Sequence, residues 1–216
     1  MTDPHGRHVV LLGATGLVGG QVLQRLLADS RVGRITAPTR RALATRADRL
    51  HNPLVDFAAL PAAAPWWAAD ALVCCLGSTR RQAGSLAGLA RVDRDYVLAA
   101  AALARAAGTP VLAFNSATGA DAGSLFGYNR IKGQAEAGLR AQHWPSLALV
   151  RPGLIGGTRA ERRPAEALAA RVLGVLHPLL PRRWRINPAG NIAAALVQAA
   201  LQPLPGEQVI NAAALA

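Results

Sequence analysis

A strand, a glycine-rich turn and a helix follow one another near the start of the 216-residue sequence, and this succession restricts the fold more than any other feature. The apolar run 8–12 is typical of a buried strand, and 21–27 continues as a helix with one apolar face. Between them lie Gly13, Gly16 and Gly19. Glycines at such a turn let backbone N–H groups approach a pyrophosphate at the helix N-terminus. The pattern predicts a dinucleotide-binding unit; a tight turn in another kind of α/β protein is the alternative.

The rest of the sequence repeats this alternation. Predicted strands cover 34–37, 55–57, 70–77, 110–114, 146–151 and 208–210, the second of these being the weakest, and predicted helices cover 86–108, 125–143 and 191–201. Alternating strands and helices predict an α/β fold with a doubly wound parallel sheet and helices on both faces. Because no linker or change of composition divides the chain, we expect one domain over 1–216, with a small C-terminal substrate or lid region at about 154–190.

The residues after the second predicted strand indicate which dinucleotide is bound. A site that prefers NAD places Asp or Glu there, to hold the ribose hydroxyls. This sequence has Arg40 and Arg41 instead. Guanidinium groups suit a 2′-phosphate, through charge-assisted hydrogen bonds. The sequence therefore predicts NADP(H) rather than NAD(H).

Lys132 is the only lysine among 24 Lys and Arg residues, so it marks a position where arginine would not serve. Tyr128 precedes it by four residues, and positions i and i+4 share one face of a helix. An ammonium ion stabilises a neighbouring phenolate, so the pair is suited to proton transfer. The alternative is a surface tyrosine and lysine that are neighbours by chance.

Several further segments occur with these in a fixed order. The set comprises Gly13–Gly19, Arg40-Arg41, 75–80, 91–97, Ser116, Tyr128-x-x-x-Lys132 and 151–153. With them the chain resembles an atypical short-chain dehydrogenase/reductase of the NAD(P)-binding Rossmann superfamily, in the branch that contains the HIV Tat-interactive protein and small bacterial relatives. The resemblance extends over 9–153 and implies a Rossmann-type sheet.

The resemblance also implies roles for individual residues. Tyr128 would be the general acid/base, Lys132 would assist it and bind the nicotinamide ribose, and Ser116 would orient the substrate carbonyl. The implied dinucleotide contacts are Gly13, Thr15, Gly16, Leu17, Val18, Gly19, Arg40, Arg41, Asp56, Leu76, Gly77, Ser78, Tyr128, Lys132, Pro152 and Leu154.

Three departures from the family pattern keep two function classes open. Asp93 stands nearest to the place of an Asn that many family enzymes use in a proton relay, Cys75-Leu76-Gly77 replaces Asn-Ala-Gly, and little after Gly156 identifies a substrate. One class is an enzyme: an NADP-dependent oxidoreductase that reduces a small carbonyl compound, or an isomerase resembling nucleotide-sugar epimerases. The other is a non-catalytic NADP(H)-sensing interaction protein. The set of Ser116, Tyr128 and Lys132 favours the enzyme.

The formal net charge of +12 has two explanations. An alanine- and arginine-rich composition is typical of a GC-rich genome, and its arginines then only solvate the surface. Placement favours a second explanation, since five arginines follow predicted strands at the ligand-binding edge: Arg80, Arg81, Arg159, Arg162 and Arg163. They predict an anionic small-molecule substrate. No basic recognition helix, zinc-ligand spacing or aromatic platform indicates a specific nucleic-acid partner.

The remaining features predict no metal and no export. The five histidines are scattered without metal-ligand spacing. Cys74 and Cys75 lie on a predicted core strand and indicate no disulfide, from which we expect a cytoplasmic location. The apolar segment 165–180 is interrupted by charge and predicts no transmembrane span. It is interpreted as an ordinary helix, with a substrate lid, a homodimer face or an interfacial helix as alternatives.

Overall fold

Strands and helices alternate along the chain in the computed structural model, which describes residues 6–156 and 186–216. The strands are β1 (Arg7–Leu12), β2 (Val32–Thr36), β3 (Leu50–His51), β4 (Ala71–Cys74), β5 (Val111–Asn115), β6 (Ser146–Arg151), β7 (Ile155–Gly156), β8 (Asn187–Pro188) and β9 (Gly206–Asn211). The helices are α1 (Leu17–Ala28), α2 (Arg80–Ala83), α3 (Leu86–Ala90), α4 (Tyr96–Ala106), α5 (Gly127–Arg140) and α6 (Ala189–Leu201). A π-helical segment, Arg91–Asp95, joins α3 to α4.

Seven of these strands form one parallel sheet in the order β3-β2-β1-β4-β5-β6-β9. Val9 of β1 lies opposite Ile35 on one side and Ala71 on the other. The chain moves outward from β1 through β2 and β3, and then returns to the other side of β1 as β4. This reversal of strand order opens a crevice at the carboxyl ends of β1 and β4, where ligands bind in such sheets. The predicted doubly wound α/β sheet is confirmed.

Side chains of the central strands alternate between two apolar layers, one on each face of the sheet. Val9 and Leu11 pack with residues of α1 and α6, whereas Val10 and Leu12 pack with residues of α4 and α5. All four are fully buried. Because both faces of β1 are covered, its sequence is a continuous apolar run rather than an alternation of apolar and polar residues.

The strand predicted over 70–77 is shorter, Ala71–Cys74, and two further predictions are wrong in placement or continuity. The third strand is Leu50–His51 and not 55–57. The Val55 N–H still donates to the Thr39 carbonyl at 2.9 Å, but the chain then turns, and Asp56 Oδ1 accepts a turn hydrogen bond from the Ala58 N–H at 2.8 Å. The helix predicted over 86–108 is divided into α3, the π-helical segment and α4. The sixth strand, 146–151, has its predicted bounds.

Most of the predicted lid region and all of segment 165–180 lie outside the described residues. The prediction of one domain over the whole chain stays a prediction. In the described ranges, no helix combines the length and the apolar character that crossing a membrane requires.

Candidate functional site

The turn between β1 and α1 is built around three glycines at the crevice. Gly13 has φ +81°, and a Cβ there would lie 2.5 Å from the Cys75 carbonyl oxygen. A Cβ on Gly19 would lie 2.0 Å from the Gly13 carbonyl oxygen, so α1 approaches the turn too closely for any other residue. Thr15 and Gly16 are exposed at its tip, Leu17 is half-buried, and Val18 points into the core.

The start of α1 is free to receive an anion. Gly16 is the N-cap, no side chain caps the helix, and its first turn carries no acidic residue. The first backbone N–H groups of a helix have no partner within the helix and point along the direction of its positive dipole end. Their donors, next to a backbone that glycine leaves uncovered, fit the pyrophosphate of a dinucleotide.

The two arginines predicted to bind the 2′-phosphate lie on a loop that is held by side-chain hydrogen bonds. Arg40 and Arg41 are exposed directly after Thr39. The Thr39 hydroxyl donates to the Arg41 carbonyl at 2.6 Å, and Asn52 donates to the Ala37 carbonyl at 2.6 Å. Asn52 also accepts from the Leu43 N–H at 2.8 Å, so it ties both sides of the loop. Sequence reasoning missed Asn52, which has no motif around it.

Lys132 reaches from α5 to the loop that follows β4. Its ammonium Nζ lies 3.0 Å from Asp93 Oδ1, and the two side chains are 3% and 1% exposed. Nζ also donates to the Asn115 carbonyl at 3.3 Å. It lies 3.9 Å from the place that a Cβ on Gly77 would take. The only lysine therefore forms a buried ion pair beside the crevice.

The Asp93 carboxylate keeps this lysine charged. Burial by itself lowers the pKa of Lys132, but the negative charge of Asp93, with lesser contributions from Tyr128 and Cys74, raises the pKa above its ordinary value of 10.5. Asp93 Oδ2 accepts from the Ser78 N–H at 2.8 Å, which fixes the loop containing Leu76, Gly77 and Ser78. Leu76 and Ser78 are half-buried and Gly77 is exposed, so this loop can line a ligand.

Tyr128 lies one helical turn before Lys132 in α5, as predicted from their spacing. Its side chain is 43% exposed, in contrast to the buried lysine. The phenol is therefore open to a substrate while the ammonium remains within the protein. Exposed apolar side chains, Leu125 and Phe126, directly precede this helix.

Ser116 lies at the end of β5 and is buried, with its hydroxyl donating to Glu136 Oε1 at 2.6 Å. Glu136, itself 1% exposed, accepts hydrogen bonds from two of the three guanidinium nitrogens of Arg151, from Nε at 2.9 Å and from Nη2. Arg140 links Glu136 to Glu207 on β9. Sequence reasoning placed Ser116 but missed Glu136, although Glu136 follows Lys132 by four residues on the same helix face.

The segment after β6 is fastened to its surroundings by backbone and side-chain hydrogen bonds. The Pro152 carbonyl accepts from the Thr118 N–H at 2.8 Å, and the Gly153 N–H donates to the buried Asn187 at 2.7 Å. Pro152 is buried and Leu154 is exposed. Asn187 was also missed from the sequence. These bonds place the segment after β6 beside the segment that follows Ser116.

The remaining predicted side chains in the described ranges are exposed at the surface. Asp56 is exposed in its turn, and Arg80 and Arg81 begin α2 with exposed side chains. Arg159, Arg162 and Arg163 lie outside the described residues. Across 6–156 and 186–216, no group of three or more His, Cys, Asp or Glu side chains is arranged to hold a metal ion. Both cysteines are free thiols, and burial raises the pKa of Cys74 to about 11.

The sheet order and the glycine turn define a protein of the Rossmann-type fold. Solved structures share the fold at low sequence identity. The protein MoeE5, described in complex with UDP-glucose and NAD, has a TM-score of 0.71 and 17% identity, over 95% of this chain and 75% of its own. WbmG of Bordetella bronchiseptica, described in complex with NAD, has a TM-score of 0.67 and 13% identity, over 97% of this chain and 74% of its own.

Two relatives that are similar over most of the chain show the family. The rat (Rattus norvegicus) protein HTATIP2 is 35% identical over 208 residues, covering 93% of this chain and 84% of the relative. The protein fmp52, mitochondrial, of Emericella nidulans is 36% identical over 212 residues, covering 93% and 90%. No protein-family model matches the sequence. The chain belongs to the HTATIP2 and fmp52 family of atypical short-chain dehydrogenases/reductases.

The expectation of a cytoplasmic location is wrong, because similar fungal proteins, from Emericella nidulans and Aspergillus niger among others, are named as mitochondrial. The physical reason for the error is that unpaired cysteines on a core strand exclude only a disulfide framework. They do not distinguish one compartment from another.

Proposed function

We propose that this protein is an NADP(H)-dependent reductase of a small carbonyl compound, with Tyr128 as the general acid. The observation that carries the proposal is the buried ammonium of Lys132, which reaches from α5 to the loop after β4. One turn earlier on the same helix, the side chain of Tyr128 is exposed. A charged side chain is buried only where an opposite charge compensates it. The ion pair of Lys132 with Asp93 borders the crevice where the glycine turn can hold a dinucleotide.

Each residue of the constellation has one task in this proposal. A nicotinamide cofactor, when bound, would supply a hydride, and the protein would handle the proton and the geometry. Tyr128 gives its phenolic proton to the substrate oxygen. Lys132, charged and fixed by Asp93, donates to the nicotinamide ribose and stabilises the phenolate left on Tyr128. Ser116 orients the substrate carbonyl, for which its hydroxyl turns from Glu136 toward the substrate oxygen.

The remaining contacts predicted from the sequence complete the proposed binding site. The turn that carries Gly13, Thr15, Gly16, Leu17, Val18 and Gly19 holds the pyrophosphate. Leu76, Gly77 and Ser78 would line the dinucleotide, Asp56 would contact its adenosine end, and Pro152 and Leu154 would contact its nicotinamide end.

Replacing Tyr128 by Phe tests the reductase directly. The variant keeps the ring and loses the proton, so carbonyl-dependent oxidation of NADPH should fall by about 10²- to 10⁴-fold while the affinity for NADPH is retained. Tyr96→Phe is the matched control, because Tyr96 packs on Phe57, with ring centroids 6.0 Å apart, and has no task in the site. Equal turnover in both variants would reject Tyr128 as the acid.

The preference for NADP(H) is a separate part of the proposal, supported by the exposed pair Arg40 and Arg41. Fluorescence titration should give a lower dissociation constant for NADPH than for NADH. Arg40→Ala and Arg41→Ala should weaken NADPH binding and leave NADH binding nearly unchanged, since only the 2′-phosphate contacts are lost. Arg46→Ala, an exposed arginine on the same connection, is the control. Equal affinity of the wild-type protein for both dinucleotides would defeat this part.

An anionic group on the substrate is the third part, supported by the exposed Arg80 at the start of α2. Arg80→Ala should raise KM for a carbonyl substrate that bears phosphate or carboxylate and leave KM for a neutral analogue unchanged. The same rise for both substrates would remove the charge argument.

A non-catalytic NADP(H) sensor is the second candidate. Two observations favour it: a carboxylate, Asp93, is paired with Lys132, and the Ser116 hydroxyl is already engaged by Glu136. Tight NADPH binding without Tyr128-dependent oxidation on a panel of carbonyl compounds would support sensing. An isomerase remains an alternative enzyme, because solved proteins of this fold include a UDP-glucuronic acid 4-epimerase from Bacillus cereus. It would convert a UDP-sugar without net consumption of cofactor.

A further inference from the structure

Asn115, at the end of β5, carries a polar atom to which the described part of the chain offers no partner. Its backbone carbonyl accepts from Lys132 Nζ at 3.3 Å. Its side-chain Oδ1 is buried, and no group within the described ranges donates a hydrogen bond to it. Because nearly all buried polar atoms in proteins are hydrogen-bonded, an acceptor of this kind favours a ligand that brings a donor.

The register of the sheet places Asn115 at the crevice. Leu12 of β1, Cys74 of β4 and Phe114 of β5 lie side by side. Gly13 and Asn115 are the next residues along β1 and β5. Since neighbouring strands lie about 4.8 Å apart, Asn115 is roughly 10 Å from the start of the glycine turn, with β4 between them. A dinucleotide bound across this edge with its pyrophosphate at the turn would bring its nicotinamide half to Asn115.

Alternation along β5 turns the Asn115 side chain toward the face of the sheet that α1 and α6 cover. Val111 and Ala113 pack in the apolar layer on that face, whereas Phe114 packs in the opposite layer with residues of α4 and α5. Lys132, on α5, therefore approaches the Asn115 backbone from one face, and the amide lies on the other. The start of α1, where the pyrophosphate would bind, is on the same face as the amide.

We propose that the amide oxygen of Asn115 accepts a hydrogen bond from the carboxamide NH₂ of a bound nicotinamide ring. The donors of the nicotinamide half are its ribose hydroxyls and its carboxamide. In the proposed function the ribose faces Lys132, so the carboxamide is the donor that remains for the amide. The inference rests on the proposed function and adds to it a contact that fixes the rotation of the nicotinamide ring about its bond to the ribose.

A dinucleotide analogue isolates this hydrogen bond. In the acetylpyridine analogue of NADP⁺ a methyl group replaces the carboxamide NH₂, so the donor is lost and the neighbouring carbonyl is kept. Isothermal titration calorimetry on the wild-type protein should give about tenfold tighter binding of NADP⁺ than of the analogue. Equal affinity for the two compounds would overturn the inference, and this outcome requires no variant to fold.

Two substitutions of Asn115 show whether its oxygen is responsible for the preference. Asn115→Leu keeps nearly the same shape without an acceptor. It should bind NADP⁺ about tenfold more weakly than the wild type and bind the analogue with unchanged affinity, so that the ratio of the two dissociation constants approaches one. Asn115→Asp keeps an acceptor oxygen and should keep the preference for NADP⁺. An unchanged ratio in Asn115→Leu would contradict the proposed contact.

The matched control is Asn191→Leu, because the exposed Asn191 amide already donates to the Leu215 carbonyl at 3.2 Å. Both dissociation constants should stay at their wild-type values. The fragment 2′,5′-ADP lacks the nicotinamide half and should bind the wild type and Asn115→Leu equally; weaker binding to the variant would assign Asn115 a structural role and reject the contact. A wild-type protein that binds no NADP⁺ would reject the proposed function together with this inference, whereas tight NADP⁺ binding without preference over the analogue rejects the Asn115 contact alone.

Discussion

Adjacent glycines in α1 differ in what their missing side chains allow. A Cβ on Gly19 would meet the Gly13 carbonyl oxygen at 2.0 Å, whereas a Cβ on Gly20 would meet its nearest neighbour, the Ala14 carbonyl oxygen, at 3.6 Å. The first distance is impossible without movement of the turn, and the second is ordinary contact. Packing against the turn therefore requires glycine at position 19 but not at position 20.

Gly19→Ala should destabilise the protein by about 1–3 kcal/mol and abolish dinucleotide binding, because α1 must move away from the turn that it supports. Urea denaturation and dinucleotide titration measure the two effects. Gly20→Ala is the control and should stabilise the protein by roughly 0.5–1 kcal/mol through helix propensity. A Gly19→Ala variant as stable as Gly20→Ala would contradict the geometry of the turn.

Among single residues, Lys132 could be recognised from the sequence as a candidate site residue, because the composition of the chain is strongly biased toward arginine. The identity of its partner was not predictable. Asp93 lies 39 positions earlier, and only the π-helical segment turns it toward α5. A regular helix through 86–108, which the sequence predicts, would place the residues of that turn differently, so the ion pair follows from the irregularity.

Helix α5 is the element on which the site depends. Tyr128, Lys132 and Glu136 follow at intervals of four on one face. Each faces a different environment: open surface, a buried carboxylate and a half-buried guanidinium. Through Glu136 the helix is tied to Arg151 at the end of β6, and through Arg140 to Glu207 on β9. These ties set the rotation of α5, and with it the direction in which the phenol and the ammonium point.

Glu136→Gln should lower the free energy of unfolding by about 3 kcal/mol, because it leaves a guanidinium and a hydroxyl at a buried position without their charged acceptor. The loss should be at the lower end for a buried pair, since Arg151 is itself 25% exposed. Chemical denaturation followed by tryptophan fluorescence measures it.

The control for this substitution is Glu207→Gln. Glu207 is 36% exposed and its pair with Arg140 is screened by solvent, so the change should amount to less than about 1 kcal/mol. Similar losses of unfolding free energy in the two variants would show that the burial of Glu136 does not increase its contribution to stability.

Elements buried on both faces were predictable, and elements stabilised by single polar contacts were not. β6 has its predicted bounds because its apolar run is bounded by Pro145 and Pro152. The third strand was misplaced because two residues suffice for it and the following turn is fixed by the Asp56 side chain. In the site, the Tyr128 and Lys132 spacing was visible, whereas Asn52 and Asn187 act through contacts that only the fold creates.

At the scale of the whole molecule, the titrating groups define a pH range of highest stability. Burial, with the charge of Arg34, lowers the pKa of His8 below 6.5. The hydrogen bond from Arg31 lowers the pKa of Asp29 from 3.8 to about 2, and that from Arg140 lowers the pKa of Glu207. Groups with a lowered pKa in the folded state add stability that is lost as pH falls through that pKa. The raised pKa of Cys74 acts oppositely, since the unfolded thiol ionises from about pH 9.

The urea midpoint should therefore be highest between about pH 6.5 and pH 9 and fall on either side. His8→Gln should flatten the decline between pH 6.5 and pH 5, because the variant has no ring to protonate. Cys74→Ala should flatten the decline above pH 9 for the corresponding reason. A midpoint that rises steadily from pH 7 to pH 11 would be inconsistent with a buried thiol on β4.

The burial of Lys132 has a practical consequence for chemical labelling of this protein. Acylating reagents that target ε-amines have one side chain to modify in the entire sequence, and it is 3% exposed. Its acylation rate in the native protein should thus be governed by transient opening of the crevice, and a bound dinucleotide should slow it. The rate of this modification, followed by mass spectrometry, would report how often the crevice around Lys132 opens.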